Sequence, residues 1–160
     1  MTIFLAMNAD YDKLTRFCLY RERCRFEVIQ KMNELKVPES LREQYLKQLA
    51  DENYYNEERY ATAYINAKIY LKKWGKKKIM AELSMRKLDK SLIQKAFQEV
   101  DDDQYISNLN HLAEKKWNSI SKKGEREKQA AMYQFLGSKG YESDLIKDAI
   151  KQIQSGVVKD

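Results

Sequence analysis

An internal repeat is the sequence feature that most constrains the fold of this chain. The run Val28, Ile29, Met32, Val37 recurs 51 residues later as Ile79, Met80, Leu83, Leu88, and 53 residues beyond that as Met132, Tyr133, Leu136, Tyr141. All twelve positions are apolar or aromatic, and the same offsets extend into the segment that follows each run. In that following segment, which begins with Leu41, Tyr45, Leu46 and Leu49, the spacing i, i+4, i+5, i+8 is typical of one helix face. The sequence therefore predicts one helical unit used three times.

Composition also favours helices. The 160 residues include one proline and five glycines, so the chain has few helix breakers, while strong helix formers such as Lys, Glu, Leu and Ala are abundant. We expect an all-α fold of three tandem three-helix repeats forming an elongated, curved helical array, since a three-helix unit of this size must pack on its neighbours. The alternative is a compact globule of nine helices.

Start and stop signals divide the chain into three regions. They are residues 1–54 (an N-terminal segment and repeat 1), 55–101 (repeat 2) and 102–160 (repeat 3 and a C-terminal tail). Leading helices are predicted near Asp10–Arg23, Glu57–Lys73 and Asp103–Ile120. Pro38 interrupts repeat 1, Asn56 is placed to cap the helix that follows it, and Gly75 and Gly140 follow helix ends. The lysine-rich stretch Ser119–Gly124 lengthens one connection of repeat 3.

Motifs for catalysis and metal binding are missing from the sequence. There is no phosphate-cradling Gly-x-x-x-x-Gly-Lys, no dinucleotide fingerprint and no Gly-x-Ser-x-Gly elbow. His111 has no partner at ligand spacing, and the Asp101–Asp103 run fits a helix cap better than a calcium loop. Cys18 and Cys24 are interpreted as ordinary small side chains in a reducing compartment. We therefore expect a binding protein with no catalytic residue, metal or cofactor.

The opening segment and the overall pattern suggest the setting in which the chain works. Met1–Met7 is apolar, but it has no basic start and soon meets Asp10, so neither a signal peptide nor a membrane span is expected. No long heptad seam is present. We therefore expect a cytoplasmic monomer with no membrane partner.

The positive charge is concentrated in one segment. The chain has a formal net charge of +6, yet Asn66–Lys90 alone carries nine Lys and Arg against Glu82 and Asp89, a balance of +7. Basic side chains neutralise phosphates and aromatic ones stack on bases or anchor a partner, although lysines also simply solubilise helices. The candidate contact residues are Lys68, Lys72, Lys73, Trp74, Lys76, Lys77, Lys78, Arg86 and Lys87, with Arg21 and Arg23 as secondary candidates.

Two finer expectations concern this basic segment. Lys68, Lys72 and Lys76 are predicted to form one helical stripe, interrupted only at Gly75. Trp74 is expected to pack between repeats, with a role as a ligand anchor as the alternative. Outside the basic segment, Arg21 and Arg23 are interpreted as solvated residues at a helix end unless they contact a partner.

Several short motifs resemble those of the RecX family of RecA regulators. In order along the chain they are Arg21-Glu22-Arg23-Cys24, Asn56-Glu57-Glu58-Arg59-Tyr60-Ala61, Lys73-Trp74-Gly75 with Ile79 and Glu82-Leu83, and Phe135-Leu136 with Lys139-Gly140-Tyr141. Each motif is weak, but their order and spacing agree from about Asp10 to Ile153.

The resemblance implies a noncatalytic negative regulator. Such a protein binds the RecA filament on single-stranded DNA, limits filament extension and strand exchange, and acts in DNA repair, homologous recombination and the SOS response. The alternatives are a helical protein that binds single-stranded nucleic acid without a recombinase, and a generic helical-repeat adaptor.

Overall fold

The computed structural model describes the backbone of residues 2–156 and the side chains of residues 9–156, and this part of the chain is helical with no strand. The prediction of an all-α fold is confirmed. Met1, where the apolar opening segment begins, and residues 157–160 of the predicted tail lie outside the described residues. The helices are α1 Thr2–Tyr20, α2 Arg25–Glu34, α3 Glu39–Asp51, α4 Glu57–Asn66, α5 Lys76–Met85, α6 Lys90–Phe97, α7 Asp102–Ser119, α8 Glu125–Ser138 and α9 Ser143–Gln154.

The helices follow the predicted order of leading, middle and closing helix, three times over. α2 packs on α1 and α3, and α7, α8 and α9 pack on one another. α1 begins at Thr2, earlier than the predicted Asp10, because no proline or glycine interrupts the helix before Tyr20. The repeat boundaries and the elongated, curved shape of the array stay predictions.

By compactness the described chain divides into two units. The N-terminal unit comprises the residues up to Tyr64 together with Leu83–Ala96, and the C-terminal unit comprises Ile65–Glu82 together with the residues from Phe97 onward. Each unit has its own buried residues. In the N-terminal unit Leu14, Val28, Met32 and Leu49 are fully buried, and in the C-terminal unit the equivalent core includes Ile69, Ile79, Ala113, Met132 and Leu136.

The last two positions of the sequence repeat mark the end of each middle helix. In each pair the amide of the second residue donates to the carbonyl of the first, and all six side chains are buried. The residue just before the second position has a positive φ, which completes the Schellman motif that ends a helix. The pairs are Val37 to Met32 (3.0 Å), Leu88 to Leu83 (3.3 Å) and Tyr141 to Leu136 (3.2 Å), and the positive-φ residues are Lys36, Lys87 and Gly140.

The two predicted helix caps are confirmed, and both cysteines are buried in the core. The Asn56 side-chain oxygen accepts from the Arg59 amide at 2.9 Å, and the Asp101 carboxylate accepts from the Gln104 amide at 3.1 Å. Cys18 and Cys24 are free and buried, and burial raises the pKa of the Cys18 thiol to about 11. The thiol therefore stays protonated at neutral pH.

Candidate functional site

The basic segment begins where α4 ends in a π-helical turn, Ala67–Leu71. The Lys72 amide donates to the Ala67 carbonyl at 3.3 Å, and Lys73 has a φ of 54° that turns the chain away from the helix axis. Lys76 then begins a different helix, α5. The predicted single stripe of Lys68, Lys72 and Lys76 is therefore wrong, because the π turn and the left-handed residue end one helix before the third lysine.

A buried asparagine holds the π turn in place. Asn108 of α7 is 4% exposed, and its side-chain amide donates to the carbonyl of Ile69 at 3.0 Å. The oxygen of Asn108 accepts in turn from the Gln104 side chain at 3.0 Å. Both polar ends of this buried amide are satisfied, so it fixes the turn without a desolvation penalty.

Two lysines lie over the ring of Trp74, and we call Lys68, Trp74 and Lys78 the Trp74 cluster. The ammonium nitrogens of Lys68 and Lys78 are 4.4 and 4.0 Å from the ring centroid. The indole is half-buried, so it is neither a closed core residue nor an open platform. Such cation–π contacts contribute about 0.5–1 kcal/mol each at exposed sites, so they hold the lysines only loosely.

Gly75, which precedes α5, packs directly against Gly140, which follows α8. The Gly75 amide donates to the Lys139 carbonyl at 2.7 Å, and the Lys77 amide donates to the Gly140 carbonyl at 3.0 Å. A Cβ at Gly75 would overlap the backbone of Gly140, and a Cβ at Gly140 would fall 2.6 Å from the Lys78 amide nitrogen. Both positions therefore require glycine, and Gly140 also needs it for its φ of 95°.

Two buried tyrosines complete this junction. The Lys76 amide donates to the Tyr105 hydroxyl at 2.9 Å, and that hydroxyl donates to the Glu142 carboxylate at 2.8 Å. The Tyr141 hydroxyl donates to the Lys73 carbonyl at 2.9 Å, and the two rings lie 5.3 Å apart. Burial raises the pKa of both phenols well above its usual value, so both remain neutral donors.

These contacts also use three of the backbone donors at the start of α5. The amides of Gly75, Lys76 and Lys77 all donate to protein oxygens. An open helix N-terminus can cradle a phosphate only with amides that have no partner. These three amides are therefore not available to an anion, and the lysine side chains present most of the positive charge of this region.

The lysines near the start of α5 differ in whether they are paired. The Lys76 ammonium lies 3.2 Å from Asp102 and 4.8 Å from the Tyr105 ring centroid, and its side chain is 27% exposed. Within the described part of the chain, no carboxylate pairs with Lys72, Lys73, Lys77 or Lys78. Lys72 and Lys77 are also exposed, whereas Lys73 and Lys78 are half-buried.

The other predicted contact residues belong to the N-terminal unit. The Arg86 guanidinium lies 5.1 Å from the Tyr64 ring centroid, and Lys87 is exposed at the positive-φ position after α5. Arg21 makes a two-bond ion pair with Glu27, at 2.7 and 3.2 Å. These residues are therefore not part of the Trp74 cluster.

Arg23 corrects a sequence-based interpretation. It is 8% exposed rather than solvated, its Nε donates to the Phe17 carbonyl at 3.1 Å, and its guanidinium lies 3.7 Å from the Phe17 ring centroid. Desolvation lowers the pKa of the guanidinium. The side chain fastens the end of α1, and we remove it from the candidate contact surface.

Sequence reasoning missed the residues that position the basic segment. Tyr105, Glu142 and Asn108 carry no motif, because each acts through a partner at least 29 positions away. The only signal was indirect: Gly75 and Gly140 each lie in a recognised motif, yet nothing in the sequence says that the two glycines touch.

Other functional classes receive no positive support from the described residues. His111 is exposed on α7. No group of three His, Cys, Asp or Glu side chains is arranged to hold a metal ion in the part of the chain the structure covers. Over the same residues, none of the helices has both the length and the apolar character needed to cross a bilayer.

Comparisons with known proteins agree on one family. Family models described as the second and third three-helix domains of RecX match residues 56–96 and 102–150. The regulatory protein RecX of Clostridioides difficile (strain 630) is 27% identical over 115 residues, which are 72% of this chain and 54% of that protein. The regulatory protein RecX of Oceanobacillus iheyensis is 26% identical over 149 residues, which are 93% and 55%. The chain spans about half the length of these curated relatives.

A solved structure gives the same result at the level of the fold. The crystal structure of RecX from Lactobacillus salivarius matches with a TM-score of 0.83 and 26% identity, covering 94% of this chain and 97% of that one. The matched family models fall in the predicted second and third repeats, and the named relatives are regulatory proteins. The chain belongs to the RecX family.

Proposed function

We propose that this chain is a noncatalytic negative regulator of RecA. It binds the RecA filament on single-stranded DNA and limits filament extension and strand exchange, acting as a cytoplasmic monomer without a cofactor. Membership of the RecX family supports the proposal. The structural observation that carries it is the pair of exposed lysines next to the Trp74 cluster in the sequence: Lys72 and Lys77 have no carboxylate partner among the described residues.

The chemistry of this region suits a mixed partner of protein and nucleic acid. An unpaired lysine keeps its full charge for a phosphate or a carboxylate of the partner, and such charges speed association. A half-buried tryptophan offers a large anchor with little loss of side-chain entropy on binding. The network of Gly75, Gly140, Tyr105 and Tyr141 fixes the backbone that carries these groups, so less order has to be gained on binding.

In the mechanism we propose, consecutive helical triplets contact successive RecA protomers. Occupying that surface obstructs the addition of incoming protomers, so filaments shorten and both ATP hydrolysis and strand exchange fall. The mechanism depends on the predicted elongated array of three repeats, which gives the necessary reach.

The direct test measures ATP hydrolysis by RecA filaments preformed on single-stranded DNA, with increasing amounts of this protein. Lys72→Glu/Lys77→Glu should raise the concentration needed for half inhibition by roughly tenfold, because two contacts become repulsive. The matched control is Arg16→Glu/Lys36→Glu, which makes the same charge change at exposed positions of the N-terminal unit outside the basic segment. The control should inhibit like the wild type.

The alternatives predict other outcomes in the same assay. A nucleic-acid-binding protein that needs no recombinase would bind bare DNA as tightly as filaments and leave the ATP hydrolysis rate per bound RecA unchanged. A generic adaptor would neither bind DNA nor change ATP hydrolysis by the filament. Equal loss of inhibition in the variant and the control would contradict a role for the basic segment.

A further inference from the structure

A second cluster of lysines and aromatic rings lies where α7 connects to α8. The Lys128 ammonium is 4.6 Å from the Trp117 ring centroid. The ammonium groups of Lys116 and Lys139 are 5.2 and 5.8 Å from the ring centroid of Phe135. α7 and α8 pack together, and Lys116 reaches across from α7 to the ring on α8. We call Lys116, Trp117, Lys128, Phe135 and Lys139 the Trp117 surface.

The positive charge around this surface is not neutralised. Residues 115–128 carry six Lys and Arg against Glu125 and Glu127, a balance of +4. No ion pair within the described side chains involves any of these six, or Lys139. Lys122, Lys123 and Arg126 are exposed on the connection and the start of α8.

The five residues of the surface share an intermediate exposure. Each side chain is half-buried, so part of each ring is accessible beside the lysines. A lysine over a ring contributes about 0.5–1 kcal/mol at an exposed site, whereas a nucleobase stacked on an aromatic side chain contributes about 1–3 kcal/mol. The stacking contribution of a base is thus at least as large as that of the lysine it would displace from the ring.

We propose that the Trp117 surface, which shares no side chain with the Trp74 cluster, is a binding site for single-stranded DNA. Bases stack on Trp117 and Phe135, while Lys116, Lys128 and the lysines of the connection neutralise phosphates. The pairing of rings with unpaired cations favours a single strand over a duplex, whose bases are already stacked, and over an acidic peptide, which gains nothing from the rings. The proposal concerns direct DNA contact and holds with or without RecA.

The two tryptophans of the chain allow each cluster to be followed separately. In Trp74→Phe all indole fluorescence comes from Trp117, and in Trp117→Phe it comes from Trp74. Titration of Trp74→Phe with a deoxythymidine homo-oligomer should quench Trp117 in a saturable way that added salt reverses. A duplex of the same length and poly-glutamate should quench it far less.

A charge-change pair provides the matched control. Lys122→Glu/Lys123→Glu should weaken binding of the oligomer by roughly tenfold, because two phosphate contacts become repulsive. Lys147→Glu/Lys151→Glu makes the same change at exposed positions of α9 and should bind like the parent. Circular dichroism of both variants confirms that the helices are retained.

The assignment would be overturned if Trp117 fluorescence stays constant while the oligomer binds. It would also be overturned if Lys122→Glu/Lys123→Glu and Lys147→Glu/Lys151→Glu weaken oligomer binding equally. If the duplex or poly-glutamate quenches Trp117 as strongly as the oligomer does, the site is not specific for single-stranded DNA and the proposed ligand is wrong. Inhibition of RecA is measured with the same proteins in the hydrolysis assay. If the protein inhibits RecA but Trp117 does not respond to the oligomer, only the Trp117 site is refuted. If the oligomer binds at Trp117 but RecA is not inhibited, only the proposed function is refuted.

Discussion

The two compact units treat their positive side chains differently. In the N-terminal unit several of them pair with carboxylates: Arg21 lies 2.7 Å from Glu27, Arg59 lies 3.0 Å from Glu22, and Lys95 lies 2.8 Å from Glu58. In the C-terminal unit several lie over aromatic rings: Lys68 and Lys78 at Trp74, Lys128 at Trp117, and Lys116 and Lys139 at Phe135. The division is one of emphasis, because Arg23 lies over the Phe17 ring in the N-terminal unit and Lys76 pairs with Asp102 in the C-terminal unit.

The difference matters because a carboxylate cancels the charge of its partner and a ring does not. A lysine over a ring gains a weak attraction and keeps a net charge of one for any anion that approaches. Several cations of the N-terminal unit therefore form ion pairs within the fold, whereas Lys72, Lys77, Lys122 and Lys123 of the C-terminal unit are exposed and have no carboxylate partner among the described residues. This contrast underlies both the proposed function and the second DNA site.

The largest expected effect comes from the close contact of Gly75 with Gly140, which holds the backbone of the C-terminal unit together. Gly75→Ala should lower the free energy of unfolding by about 3 kcal/mol or more, because the new methyl group overlaps the Gly140 backbone. Gly137→Ala is the control: nothing lies within 4 Å of the point that its new methyl group would occupy in α8, so it should be neutral or stabilising by up to about 1 kcal/mol. Urea unfolding followed by circular dichroism gives both values. Similar values for the two variants would contradict the close contact.

A smaller effect is expected from the tyrosine that links α5 to the turn before α9. Tyr105→Phe leaves the Lys76 amide and the Glu142 carboxylate without their partner, which should cost about 2 kcal/mol. Tyr133→Phe, at an exposed tyrosine of α8, should change stability by less than about 0.5 kcal/mol. Thermal and urea unfolding measure the difference, and an equal response of the two variants would remove Tyr105 from the junction.

Replacing single cations by glutamine compares directly how much an ion-paired and an unpaired side chain contribute to the free energy of unfolding. Arg21→Gln should lower the free energy of unfolding by about 0.5–1 kcal/mol, since it removes a two-bond ion pair that is partly exposed. Lys77→Gln should change stability by less than about 0.5 kcal/mol, since the exposed lysine has no ionic partner among the described residues. Inhibition of RecA should respond in the opposite order. If Lys77→Gln destabilises the fold more than Arg21→Gln, the contrast between the units is wrong.

The least pronounced prediction concerns alkaline pH and the Cys18 thiol. Burial raises its pKa from 9.0 to about 11, so the folded state binds the proton more tightly than the unfolded state. This contribution to stability is complete below pH 9 and is lost as pH rises through 11. Cys18→Ala should therefore show a shallower decline in unfolding free energy over that range than the wild type. Equal declines would contradict a buried, protonated thiol.

The helical repeat was predictable because its signal is local and periodic. Val37, Leu88 and Tyr141 recur at fixed offsets since each is the residue that closes a Schellman motif onto the helix before it. The caps at Asn56 and Asp101 were predictable for the same reason, because each cap involves only residues three positions away.

The arrangement of the basic segment was not predictable from local patterns. Helical periodicity placed Lys68 and Lys76 on one face, but a π turn held by Asn108 and a left-handed Lys73 end the helix between them. The contact between Gly75 and Gly140 joins positions 65 apart, and the burial of Arg23 depends on Phe17. Such features follow from tertiary packing, which overrides propensity.

The central claim is that the C-terminal unit keeps its lysines available for phosphate, and the salt dependence of single-stranded DNA binding tests it most directly. Each phosphate contact contributes about 0.7 to the slope of log association constant against log salt concentration. The variant Lys77→Gln/Lys122→Gln/Lys123→Gln should flatten that slope by about 2, while Arg21→Gln/Arg59→Gln/Lys95→Gln in the N-terminal unit should leave it unchanged. An unchanged slope in the first variant, or an equal flattening in both, would contradict the account.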